Sequence, residues 1–237
     1  MDTQPEIEPV IKPKPRSRAR KQEKRKLDLI IPEKLFILTI DDGGAAIASV
    51  KTTLRYQLAG AMLVQLALVN KIQLKDNRLV LVDPAPSGEP LFDEILAMIP
   101  AEKKPRKLSH WLQAVGSKQI LKSLAGRLAE RNVIVIEKKQ YSWVIPYELS
   151  PQVNASAKYW VKQHLRGVVL AGEPAEPADI ALLSLLKAFS LMRLVFTRDE
   201  RKSAGKKVDG LVKGEIFNDS AAKLLAEIGT AAVAAAG

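Results

Sequence analysis

The stretch LAGAMLVQLALV, residues 58–69, is apolar on every side of a helical wheel, with Gln65 as its single polar interruption. A helix that is hydrophobic all round cannot lie on a surface and needs neighbours on all sides. It is also too short to cross a bilayer, which takes about 20 apolar residues. The segment therefore reads as a buried helix, roughly Thr52 to Val69, with Leu58, Met62, Leu66 and Val69 aligned at three- and four-residue steps. A chain of 237 residues is long enough to surround it, as one large domain or two small ones.

The flanking segments supply the surroundings. Upstream, Leu35 to Ile40 form an apolar run closed by the turn signal DDGG. Downstream, NKIQLKDNRLVLVDP reads as a hairpin turning at Asp76–Asn77. PAPSGEPLFDEIL is a turn and then a helix, capped by Ser87 or by Glu89 just before Pro90. HWLQAVGSKQILKSLAGRLAERN gives one or two helices, and VIVIEKKQYSWVIPY a second hairpin turning at about Lys138–Lys139. Aligned without gaps at an offset of 62, the two hairpin segments share Asn70/Asn132, Ile72/Ile134, Val82/Val144 and Pro84/Pro146, so a helix-then-hairpin unit occurs twice. The last third reads as helices over Ala157 to Val169, Ile180 to Phe196 and the Ala-rich DSAAKLLAEIGTAAVAAAG. The fold class read from these elements is mainly α, with β-hairpins.

In the second hairpin, QYSWVIPYEL places Tyr141, Trp143 and Ile145 on alternate positions, the period of a strand. Three readings stand: a core strand, the wing of a nucleic-acid module, or an apolar prong for a membrane or partner.

Charge narrows the partners. The net charge is +11, and the first 26 residues hold nine Lys or Arg against four acids, so both tail and body are basic. Residues 1–31 combine that charge with Pro5, Pro9, Pro13 and Pro15 and read as a disordered basic tail. It serves either solubility and localisation or docking to an acidic partner, through Arg16, Arg18, Arg20 and Lys21. The opening residues have no apolar h-region and so do not read as a secretory signal. With no cysteine, disulfides and thiolate metal sites are excluded. The chain reads as cytoplasmic, without a transmembrane anchor.

Catalytic signatures are missing. There is no G-x-S-x-G, no P-loop and no G-x-G-x-x-G at a strand–helix junction. His110 and His164 lack partner motifs and read as solvated or core side chains. Asp41–Asp42 reads as turn chemistry, and Asp93–Glu94 lies early in a helix, where the macrodipole favours carboxylates. No catalytic residue, metal ligand or cofactor is expected, and the chain is read as a binding protein. A helix followed by a hairpin is also the plan of a winged-helix nucleic-acid binder. LKSLAGRLAERN offers such a helix only Lys122, Arg127 and Arg131, and the wing strand is apolar, so nucleic acid is the weaker reading.

The order LAGAMLVQLALVNKIQL, LVDPAPSGEPLFDEIL, a lone HW, then LAGRLAERNVIVIEKKQ resembles the Golgi phosphoprotein 3 family. Gly60, Met62, Leu63, Leu66, Ala67 and Leu68 match its first motif. Pro86, Ser87, Gly88 and Glu89, then Leu91, Asp93 and Glu94, then Trp111 match the rest. The resemblance implies a single compact, mostly helical domain over 32–237 with one hydrophobic, projecting hairpin, of which QYSWVIPYEL is the return strand. It implies peripheral membrane adaptors that bind phosphatidylinositol 4-phosphate and help retain glycosyltransferases. It also implies a basic tail engaging coat proteins or enzyme tails, and self-association through the hairpin at Tyr141, Trp143, Val144 and Ile145. The family's lipid pocket transfers incompletely: its Trp aligns to Val50, its first Arg to Ala59, and its helical Arg pair to Lys118 and Leu121. Lys51, Arg55, Lys118 and Lys122 are the expected replacements. Lys lacks the bidentate fork of Arg, so generic anionic-lipid binding is expected as readily as selectivity for one phosphoinositide.

Overall fold

The computed structural model describes residues 28–42, 44–47, 52–139, 148–214, 217 and 219–236. Helix α1 (Ile31–Thr39) precedes the apolar helix α2 (Leu54–Leu68). The hairpin β1 (Ile72–Lys75) and β2 (Arg78–Leu81) follows, then α3 (Pro90–Ala101), α4 (Leu108–Val115) and α5 (Lys118–Glu130). A second hairpin, β3 (Ile134–Lys139) and β4 (Glu148–Val153), leads into α6 (Ala155–Arg166), which a π-turn over Gly167–Ala171 extends. Helices α7 (Pro177–Ala188), α8 (Glu200–Lys213) and α9 (Asp219–Ala236) complete a mainly helical, single-domain body.

Helix α2 is the axis of this body, packed by α1, α4, α7 and α9. Leu58, Ala59, Met62, Leu63 and Leu66 are wholly or almost wholly out of water, as an all-round apolar helix requires. Gln65, the one polar residue of the run, is a structural link. Its side-chain oxygen accepts the Ile31 N–H at 3.1 Å and so satisfies an open donor at the start of α1. Gly60 lets α9 approach closely, since a β-carbon there would lie 2.7 Å from Cδ1 of Ile228. The apolar run from Leu35 belongs to α1 as far as Thr39 and stays buried through Ile40.

The first hairpin follows the expected plan. Ile72 pairs with Leu81 and Lys75 with Arg78. Asp76 and Asn77 both have positive φ, 50° and 56°, as a two-residue type I′ turn demands. The second hairpin departs from it. The ladder runs on past Lys138 to a Lys139–Glu148 pair, so no reversal occurs at Lys138–Lys139. The return strand is Glu148–Val153, and QYSWVIPY falls in the connection 140–147, outside the described residues. Of the expected return strand QYSWVIPYEL, Glu148 and Leu149 lie on β4, and the expectation for the rest falls outside the described residues. A two-lysine turn would need positive φ at both positions, which side chains without local hydrogen-bonding capacity disfavour.

Both hairpins grow from the same helix ending. Asn70 and Asn132 adopt left-handed φ of 55° and 57°. The next residues, Lys71 and Val133, donate to Leu66 and Leu128 carbonyls, each at 2.9 Å, which is the Schellman pattern. Ser190, φ 58°, ends α7 in the same way, with Leu191 bonded back to Leu186 at 2.7 Å. The 62-residue offset holds through the first strand. On the return side Val82 N–H donates to Lys71 as Asn154 N–H donates to Val133, each at 2.9 Å, so the second hairpin is ten residues longer. The Val82/Val144 and Pro84/Pro146 pairing is therefore a coincidence of the ungapped alignment.

Candidate functional site

The expected cations reach the surface from two directions. Arg55 is exposed in the first turn of α2, where its guanidinium stacks over the Tyr56 ring at 4.4 Å from the centroid and bonds its hydroxyl. Lys118 opens α5 and Lys122 follows one turn later, both exposed, while Ile120, Leu124 and Leu128 face the core. Gly116 joins the two groups. It lies so close to α2 that a β-carbon would stand 3.1 Å from the Arg55 carbonyl oxygen. The start of α2 therefore meets the start of α5, whose Ser117 cap accepts the Ile120 N–H at 3.4 Å. Helix N-termini carry partial positive charge, which adds to the lysines. Lys51, Tyr141, Trp143, Val144, Ile145 and the tail cations Arg16, Arg18, Arg20 and Lys21 lie outside the described residues.

Two positions that differ from the resembled pocket have clear environments. Ala59 is wholly buried within α2, so no side chain at that position here meets solvent. Leu121 packs on the core edge. A shallow cleft of about 450 Å³ lies elsewhere, between Gln73, Leu74, Lys75, Asp76 and Asn77 of the first hairpin and Lys223, Ala226 and Glu227 of α9. Arg55, Lys118 and Lys122 do not line it.

The arginines of α5 turn inward. Arg127 Nε donates to Glu33 Oε1 at 2.9 Å, and its other nitrogens bond Glu89. Arg131 reaches Glu33 Oε2 at 3.1 Å and the Asp28 carbonyl at 2.6 Å. Glu33 is fully buried and also accepts the Ile30 N–H at 2.9 Å. Burial would lower the Arg127 pKa, but the Glu33 and Glu89 carboxylates more than offset this and raise it. A winged-helix reader needs these arginines for phosphates or bases, whereas here they tie α5 to α1 and to Glu89, the residue that caps α3.

Three further features are not singled out by any sequence motif. His164 and Lys34 converge on the buried Asp179, at 2.8 Å and 3.0 Å. His110 pairs with Glu102 at 3.2 Å. Tyr159 and Trp160 of α6 form an exposed edge-to-face pair; only the helical period of α6, with Ala157, Val161 and Leu165 inward, points them out. Among the described residues no group of three His, Cys, Asp or Glu is placed to hold a metal ion, and no helix is long and apolar enough to cross a membrane.

A helical body built round one apolar helix, with hairpins rooted on helix ends, defines a hairpin-bearing helical scaffold. The chain belongs to the Golgi phosphoprotein 3 family: residues 31–228 match the family model described as Golgi phosphoprotein 3 (GPP34). It is also similar to the vacuolar protein sorting-associated protein 74 of Eremothecium gossypii, with 22% identity over 179 residues, covering 66% of this chain and 54% of that protein. The chain thus spans about half the length of this curated relative.

Proposed function

We propose that the chain is a peripheral membrane adaptor whose cationic corner, Arg55 with Lys118 and Lys122, binds the phosphates of anionic phospholipid. The observation that supports this reading is the approach of the Arg55 backbone to Gly116, two residues before Lys118 at the start of α5. Membership of a Golgi phosphoprotein family and similarity to a sorting-associated protein support an adaptor role. Each Lys or Arg near an anionic leaflet contributes about 1 kcal/mol. A few of them give reversible, salt-sensitive association. With Val50 and Ala59 in place of the family's Trp and Arg, the corner reads negative charge in general more than one phosphoinositide, phosphatidylinositol 4-phosphate included.

In the same proposal Lys51 joins the corner. Tyr141, Trp143, Val144 and Ile145 supply the hairpin contact to membrane or to a second copy. Arg16, Arg18, Arg20 and Lys21 engage coat proteins or the cytosolic tails of membrane enzymes such as glycosyltransferases. The site of action is then the cytosolic face of a membrane, that of the Golgi in a eukaryotic host. Vesicle co-sedimentation tests the core claim. Wild type should pellet with phosphatidylserine- or phosphatidylinositol-4-phosphate-containing vesicles, and replacing Arg55, Lys118 and Lys122 together by Ala should abolish pelleting. Undiminished pelleting by that variant removes the corner from the reading. A salt-sensitive duplex-DNA gel shift without vesicle binding replaces the reading by a nucleic-acid one.

A further inference from the structure

Backbone register places three cations in one row away from that corner. Lys75 is the cross-strand partner of Arg78, and Arg78 pairs in turn with Lys107, the residue that precedes α4. The Leu79 N–H donates to the Arg106 carbonyl at 3.0 Å, which holds 106–107 alongside β2 through an isolated bridge. Lys75, Arg78 and Lys107 are all exposed, as are Lys103 and Lys104 in the loop before them. Like charges directly opposite one another on a sheet repel and destabilise it.

No described ion pair takes up the charge of the row, although Asp76 lies in the turn between Lys75 and Arg78 and Glu227 lines a cleft with Lys75. Among the described residues no carboxylate forms an ion pair with Lys75, Arg78, Lys103, Lys104 or Lys107. The neighbouring Glu102 is taken by Arg106, at 2.8 Å, and by His110. The Arg78 guanidinium donates to the Pro105 carbonyl at 2.8 Å, which steadies the side chain without lowering its charge. A phosphate-bearing surface set against the row would relieve the repulsion that the free protein bears.

The row and the corner flank one helix. Helix α4 starts directly after Lys107 and ends at Gly116, which lies against the Arg55 carbonyl and two residues before Lys118. Its eight residues span about 12 Å and include no acid. The segments that form the row, 71–83 and 102–107, contain no aromatic side chain. They therefore lack the stacking platforms by which proteins hold single-stranded nucleic acid, which favours a lipid surface.

We propose that Lys75, Arg78 and Lys107 form a second phosphate-binding contact, which docks on an anionic membrane at the opposite end of α4 from the Arg55–Lys118–Lys122 corner. Two contacts on one rigid helix make binding bivalent and fix which side of the body faces the bilayer. This inference rests on the membrane reading, and the test separates the two.

The probe is phosphatidylcholine vesicles with and without phosphatidylserine, titrated with wild type, with Lys75→Gln/Arg78→Gln/Lys107→Gln, and with a charge-matched control, Lys202→Gln/Lys206→Gln/Lys213→Gln on α8. The row variant should bind phosphatidylserine vesicles at least about tenfold more weakly than wild type, with the control close to wild type. Without vesicles, at low salt, the row variant should melt no lower than wild type, because opposed charges are gone. Equal losses in row variant and control would show that only net charge matters and overturn the row. Unchanged vesicle affinity in the row variant overturns it too, as does a loss confined to duplex DNA binding. Wild type that ignores phosphatidylserine vesicles overturns the membrane reading itself, and the row with it.

Discussion

His164 holds Nε2 2.8 Å from Oδ2 of Asp179, while Lys34 Nζ meets Oδ1 of the same carboxylate at 3.0 Å. One buried side chain thus ties α6, α1 and α7 together. Burial pushes the Asp179 carboxyl up, but the His164 and Lys34 hydrogen bonds and charges outweigh it and hold the pKa at about 2. The hydrogen bond to Asp179 raises the His164 pKa above 6.5 against the opposing effect of burial. The signs give stability a plateau. The histidine contribution is full below 6.5 and is lost as pH rises through its folded-state value. The aspartate contribution is present above 3.8 and is lost as pH falls toward about 2. His164→Gln should remove the alkaline-side decline. Because the ring is partly exposed, the effect should be about 1 kcal/mol or less. Urea midpoints measured across the pH range for both proteins check this, and parallel curves would mean the pair does not govern the titration.

Glu33 carries a second junction, and its removal should be more costly. Glu33→Ala leaves Arg127 and Arg131 facing a site that held their shared carboxylate, and frees the Ile30 N–H. The expected loss is about 2–4 kcal/mol, near the lower part of the range for broken buried pairs because both arginines still reach water. Denaturant unfolding of Glu33→Ala, with Arg127→Ala and the double variant, gives the coupling directly; additive losses would contradict a shared network.

Gly116→Ala should destabilise by about 1–3 kcal/mol. Its φ of −75° suits any residue, so the effect is one of space alone. The new β-carbon would lie 2.7 Å from the Leu112 carbonyl oxygen and 3.1 Å from that of Arg55, and backbone cannot swing aside as a side chain can. Vesicle affinity should fall as well, since the corner depends on that approach. A variant of wild-type stability would show that α2 and α5 have slack between them.

Trp111 separates shape from hydrogen bonding. Its ring is buried, and its Nε1–H has no hydrogen-bond partner among the described residues. Trp111→Phe keeps most of the ring volume and removes the unsatisfied donor, so it should stay within about 1 kcal/mol of wild type. Trp111→Ala opens a cavity and should cost about 3–5 kcal/mol. Thermal melts of the two variants check the contrast; comparable losses would mean the donor is satisfied in solution.

The features legible in the sequence were local ones. Residues 58–69 demanded burial because no face of that helix is polar, and Asp76–Asn77 announced a turn because both tolerate positive φ. Glu89 before Pro90 marked the start of α3, although Ser87, the other candidate, instead bonds Asp93 through its N–H and hydroxyl, each at 2.6 Å. The ion-pair junctions were not legible, since Glu33 lies 94 and 98 residues from its arginines and no period links them. Nor was the length of the second hairpin, because EKK imitates a polar turn while the strand runs through it. At the corner, Arg55 and Lys118 were chosen by resemblance; that Gly116 joins them could be known only from the packing of α2 on α4.

The matched helix endings at Asn70 and Asn132 make each hairpin a cartridge seated in a standard socket. The paired bonds at its base, Val82 to Lys71 and Asn154 to Val133, fix entry and exit whatever is mounted beyond them. Ten residues separate the two cartridges in length, yet the helices beneath keep the same terminus. A hairpin seated this way can differ in length from its counterpart while the helix end beneath it stays the same.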